Sequence, residues 1–183
     1  DIWFLTSQLN DAVLLTRTLF QQKVQALGFI TFAAGFVDPN YLSLVGNLGS
    51  YFVAQSLFDY DLNTEVERNF DRKIRSRYNV PSNHNSALCY AEAYVLKDAL
   101  ERAGSTDREK VRDALEATNI TTGPAMILPG KGVKFDKNHE NMYAKNIMSQ
   151  AIKGEWHTVW PYERVRKYDP VWPRPTWDKI EKL

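Results

Sequence analysis

The sequence predicts an α/β domain in which parallel strands alternate with helices. Three observations carry that prediction. The chain opens on an apolar run, Ile2–Thr6, followed by a polar turn and a helical stretch from Asn10. A second apolar run, Leu27–Phe32, comes after that helix, so the first 32 residues read as strand, loop, helix and strand. Further on, helical patterns with strong start signals recur between short strands, and none sustains a heptad. At 183 residues the chain can build a real core, and its 44% hydrophobic and 25% charged content is that of a globular protein.

The elements follow in order. Ile2–Thr6 is continuous enough to be a buried parallel strand. Asn10 is a good N-cap, Asp11 suits a first turn, and Leu14, Leu15 and Leu19 follow helical spacing to about Val24. Leu27–Phe32 is the second buried strand. Asp38-Pro39 starts a short helix that stops by Gly46. Tyr51–Phe58 is a third strand. Thr64 and Glu67 form a capping box, and Val66, Phe70, Ile74 and Tyr78 make one helical stripe. Arg72, Lys73, Arg75 and Arg77 lie mostly off that stripe and read as a solvated face. Asn79-Val80-Pro81 breaks the helix. The next helix runs from about Asn85 to Ala103, with Ala87, Leu88, Ala91, Val95 and Ala99 inward and Gly104 as its C-cap. Thr106-Asp107-Arg108-Glu109 predicts a second capping box. Beyond Asn119 come glycine–proline turns, a short strand at Val133–Phe135, a polar turn over Asp136–Asn141, and a hairpin from Asn146–Ile152 and Trp156–Trp160. From Pro161 the chain is rich in aromatics and prolines and reads as a tail laid over the surface, its rings covering a groove.

The composition excludes several functions. Lys and Arg total 23 against 22 Asp and Glu, so the basic surplus of a dedicated nucleic-acid binder is missing. No apolar run approaches the roughly 20 residues of a membrane span. Cys89 is the one cysteine, so no internal disulfide forms. It falls in an amphipathic helix and reads as a packed, inert thiol. Gly130-Lys131-Gly132 lacks phosphate-loop spacing. Asp136, Asn138 and Glu140 begin like a calcium loop, but the required glycine and final Glu are absent. His84, His139 and His157 pair with no Cys or carboxylate at zinc spacing. Ser7 follows a strand, as a nucleophile can, yet has neither flanking glycines nor an evident base. No catalytic set, cofactor or metal is expected.

What remains is a pair of loops at strand ends, Thr6-Ser7-Gln8 and Phe32-Ala33-Ala34-Gly35-Phe36, where open α/β sheets take ligands. They are small, uncharged and partly aromatic, which suits holding a small molecule.

Longer stretches resemble a known family. They include Trp3–Ala12, Asp38-Pro39-Asn40-Tyr41, the helix ending Leu100-Glu101-Arg102-Ala103-Gly104, Val111–Leu115, Val133–Asp136, and the close Val159-Trp160-Pro161 with Pro170–Trp177. Together they resemble the periplasmic substrate-binding proteins of ABC transporters, in the branched-chain amino-acid (Leu/Ile/Val-binding) family. The resemblance implies a type I fold of two Rossmann-like lobes that close on a ligand. It implies that residues 1–81 belong to the second lobe, 82–145 return to the first, and 146–183 cross back as hairpin and tail. The chain opens on a strand at Asp1 and reads as cut at its front. A signal peptide in the precursor, a periplasmic or lipid-anchored extracellular location, a membrane permease as partner, and a missing N-terminal part are therefore implied. The family function is ligand capture without turnover. A sensing domain of a receptor or regulator shares the fold, and a hydrolase using Ser7 is a further alternative. By the same resemblance, Thr6, Ser7, Gln8, Phe32, Ala33, Ala34, Gly35 and Phe36 are the ligand loops of the second lobe. Amino-acid binders of the family carry an acidic residue in the second loop to meet the ammonium group. Here that loop has no charge, which points to an aromatic or other apolar carboxylate, or an amide. Phe32 and Phe36 offer rings for stacking on the ligand, or serve equally well as core.

Overall fold

The computed structural model describes residues 1–32, 35–58, 61, 64–161 and 169–183. Its centre is a five-stranded sheet in the order β1 (Ile2–Thr6), β2 (Gly28–Phe32), β3 (Val53–Ser56), β6 (Ile147–Ile152) and β7 (Glu155–Trp160). The first three strands are parallel, with Ile2 opposite Gly28 and Ile30 opposite Val53. β6 then runs antiparallel to β3, and β7 antiparallel to β6. The expected α/β sheet is therefore present, with its change of direction at the β3–β6 pair. A separate antiparallel pair, β4 (Asn119–Ile120) with β5 (Val133–Lys134), belongs to the intervening segment.

The helices are α1 (Leu9–Gln21), α2 (Tyr41–Val45), α3 (Glu65–Tyr78), α4 (His84–Ala103), α5 (Arg108–Glu116) and α6 (Trp177–Ile180). The Thr64–Glu67 box forms as read, with Thr64 Oγ1 accepting from the Glu67 amide and Glu67 Oε2 from the Thr64 amide. Asn79 and Gly104 close α3 and α4 in the left-handed conformation, where Asn and Gly are at least cost. Other starts differ. α1 begins at Leu9 after Gln8, because the Ala12 amide already donates to the Gln8 carbonyl, and Asn10 lies inside the first turn. Asp38 accepts from the Asn40 amide and so closes a turn around Pro39, which delays α2 to Tyr41. Asp107, not Thr106, caps α5, by accepting from the Lys110 amide.

Three larger expectations are corrected. β1 is not buried: Ile2, Trp3 and Phe4 are 43%, 42% and 67% exposed, because β1 is an edge strand of the sheet. Cys89 is exposed, not packed, since it faces an open groove on α4. The tail does more than cover a surface. Trp177 and Ile180 are fully buried in the main core with Phe29, Phe36, Tyr41 and Phe52.

The sequence ties the tail down residue by residue. Gln150, buried on β6, accepts from the Val171 amide at 2.8 Å and donates to the Val171 carbonyl at 3.0 Å. The Arg174 amide donates to the Leu27 carbonyl, and Trp177 Nε1 donates to the Val24 carbonyl at 2.7 Å. The Arg174 guanidinium lies 3.8 Å from the Trp177 ring, over Phe29 and Phe52. Burial lowers its pKa to about 10, and its Nε and Nη2 meet no hydrogen-bond acceptor among the described residues. The rings hold this cation by attraction to their faces, which is strengthened where water is excluded.

Two smaller clusters carry the rest. Phe58, Phe70, Ala87, Ala91, Ile127 and Ile147 join α3 and α4 to the sheet. Val95, Ala125 and Val133 pack the small sheet against α4. No helix among the described residues is long and apolar enough to cross a membrane.

Candidate ligand-binding site

The parallel strands β1, β2 and β3 place three loops at their carboxyl ends. The first two touch. A Cβ on Gly35 would lie 2.4 Å from both the Ser7 carbonyl oxygen and the Gln8 carbonyl carbon, closer than any side chain can stand. Glycine is required at position 35 by this approach of two backbones. The expected loops are therefore brought together, as neighbours in one surface.

Within that surface the residues differ. Thr6 and Gln8 are exposed, and Ser7 is half-buried. Ser7 Oγ is itself shielded and has no hydrogen-bond partner among the described residues. The Gln8 side chain does not cap α1, and remains available beside the helix start. Phe32 is partly exposed and stacks on Phe4, with ring centroids 5.9 Å apart. Phe36 is 0% exposed; its ring packs edge-on against Tyr41 and tilted against Phe52. Of the two roles open to Phe36, the structure gives it the core one: the chain turns inward at Gly35, and protein already covers both faces of the ring. Ala33 and Ala34 lie outside the described residues.

The third loop was not anticipated. Ser56 at the end of β3 donates from Oγ to the Phe58 carbonyl at 2.7 Å. His84, the first residue of α4, accepts the Leu57 amide proton on Nδ1 at 3.0 Å. Burial lowers its pKa from the ordinary 6.5. Ser56 and His84 line a cavity of ≈ 40 Å³ with Val37, Phe58 and Trp156. The structure shows Asn83 capping α4, so this His is the first residue after the cap. A search for histidines paired with Cys or carboxylate passes over it, because its partner is a backbone amide.

The wall so formed is neutral. The first acid after β2, Asp38, is engaged with the Asn40 amide. Among the described residues no group of three or more His, Cys, Asp or Glu is placed to hold a metal ion. Such a surface can recognise a small molecule by hydrogen bonds and ring contacts. A wider apolar groove of ≈ 610 Å³ lies on another part of the molecule, between α4, α5 and β5, and shares no residue with these loops.

Comparison with known proteins agrees with this fold. A family model described as periplasmic binding protein matches residues 1–154. Leu/Ile/Val-binding protein homolog 7 of Brucella suis is 25% identical over 170 residues, covering 88% of this chain and 41% of that protein. The chain thus spans about 41% of the length of the curated relatives it matches. Among solved structures, the leucine binding protein LivK from Thermotoga maritima superposes with a TM-score of 0.73 at 20% identity, over 86% of this chain and 43% of that one. A solute binding protein from R. palustris in complex with benzoate gives 0.68 at 12% identity, over 87% of this chain and 42% of that one.

Proposed function

The chain belongs to the periplasmic binding protein family, matched over residues 1–154, and on that premise we propose that it is part of the solute-binding component of an ABC importer. It captures a small organic ligand between two lobes, without turnover, and delivers it to a membrane permease. The protein works in the periplasm, or anchored by lipid outside the cell.

The observation that carries the reading is the joined wall of Thr6-Ser7-Gln8 and Gly35, polar yet uncharged. An ammonium group set against it would be buried without a partner, at a cost of several kcal/mol. An aromatic or other apolar carboxylate meets no such penalty on this side. The benzoate bound by the R. palustris neighbour is a ligand of that class. Phe32, with part of its ring exposed, is the residue on this wall for apolar contact.

The lobes divide the chain as residues 1–81, 82–145 and 146–183. This division is supported by the sheet, which takes strands from 1–56 and from 147–160, while 119–134 pair separately. The open β1 edge and the apolar groove on α4 are the surfaces that the remainder of the longer protein would cover.

Native mass spectrometry of the purified protein, followed by denaturation, tests the reading. An aromatic or apolar acid carried through purification supports it. A co-purified amino acid would remove the aromatic-carboxylate assignment, and conversion of any bound compound would remove the binding-protein assignment.

A further inference from the structure

His84 joins two parts of the fold. It opens α4, yet its ring reaches back to the end of β3. An amide N–H can only donate, so the Nδ1 that receives the Leu57 amide carries a lone pair. The proton of the neutral ring is then on Nε2. Ser56 Oγ lies 3.2 Å from the same Nδ1, with its own hydroxyl donated to the Phe58 carbonyl. Every hydrogen bond of this imidazole is thus made at Nδ1, and Nε2–H has no protein partner among the described residues.

The ring borders the cavity at the carboxyl ends of β2 and β3, where the parallel strands give way to antiparallel ones. The carboxyl ends of parallel strands are where open α/β sheets take ligands. At ≈ 40 Å³ the space suits a terminal polar group, not a whole ligand, since a water occupies about 30 Å³ of its liquid. The other residues around it, among them Ser56, Asn83 and Trp156, carry no charge. We infer that His84 is a specificity-determining ligand-binding residue, whose Nε2–H donates to an acceptor oxygen (carboxylate or carbonyl) of the bound molecule. The inference rests on the proposed binding function and adds to it a donor on the return segment, held in one tautomer by the backbone of β3.

The test uses the complete protein and three probes, benzoate, benzamide and L-leucine, with binding read by calorimetry near neutral pH. His84→Asn keeps a short acceptor for the Leu57 amide and removes the distal donor. His84→Gln restores an N–H near the Nε2 position. A donor to a charged acceptor is worth enough that His84→Asn should weaken benzoate binding about tenfold or more, with His84→Gln recovering part of the loss. Unchanged affinity in His84→Asn for every probe that binds overturns the inference. Binding of L-leucine but not benzoate rejects the aromatic-carboxylate reading, while a tenfold loss on L-leucine in His84→Asn still sustains the role of His84. A protein that binds none of the three overturns both. Nitrogen NMR of the wild-type ring needs no variant: Nε2 protonated, with its signal moving on saturation by the probe that binds, is expected. A ring protonated on Nδ1, or a signal that stays fixed, overturns the inference.

Discussion

The two edges of the main sheet are finished in opposite ways. At β7 the outer strand is buried along its middle residues, and Thr158 gives both its amide and its hydroxyl to Asp61, at 2.8 and 2.6 Å. At β1 three consecutive large apolar residues are exposed, and Phe4 stacks on the partly exposed Phe32. An apolar, unprotected edge is a liability that folded proteins normally cover or charge. One edge of this sheet is therefore complete within the chain, and the other has the chemistry of an interface.

The contrast is sharpened first by Trp177→Ala, which should cost about 3–5 kcal/mol of stability as a fully buried ring is lost. Denaturant unfolding followed by fluorescence measures it; a loss under 1 kcal/mol would mean that the tail is not part of the core. Next, Asp61→Ala strands the buried amide and hydroxyl of Thr158 and should cost about 1–3 kcal/mol, read from the same melts. Phe4→Ser on the open edge should change stability by less than about 1 kcal/mol in the same melts. If it destabilises as much as Trp177→Ala, the two edges are equivalent and the comparison fails.

The smallest effect is a pH dependence at the junction between sheet and α4. The folded-state pKa of His84 lies below its ordinary 6.5, so below that value the unfolded chain binds more protons than the folded one. Stability from this group is full above 6.5 and is lost as pH falls through the lowered folded value. His84→Asn should flatten that part of the stability–pH curve. An unchanged slope would mean that His84 titrates freely.

How much of this was legible depends on how far apart the partners lie in the chain. The Thr64 box, the left-handed ends at Asn79 and Gly104 and the hairpin turn at Lys153-Gly154 are set within a few residues, and the sequence shows them. The position of the two loops proposed to hold ligand is local in the same way, since each directly follows a strand. Trp177 meets Val24 across 153 positions, and His84 meets Leu57 across 27. Neither pairing leaves a periodic trace. The exposure of β1 was hidden for a related reason: an apolar run reads the same whether its partner is present in the chain or comes from elsewhere. Phe36 was ambiguous for want of one fact, the inward turn at Gly35.

That turn has a mechanical consequence. With no side chain at Gly35, the backbone there rests directly on that of Ser7-Gln8, and the next residue, Phe36, is locked among core rings. The proposed recognition wall is thereby anchored to the interior at Gly35 and Phe36. A ligand bound there as proposed would meet backbone already in position at Gly35, so less order would have to be created at binding and less affinity lost to organising a loose loop.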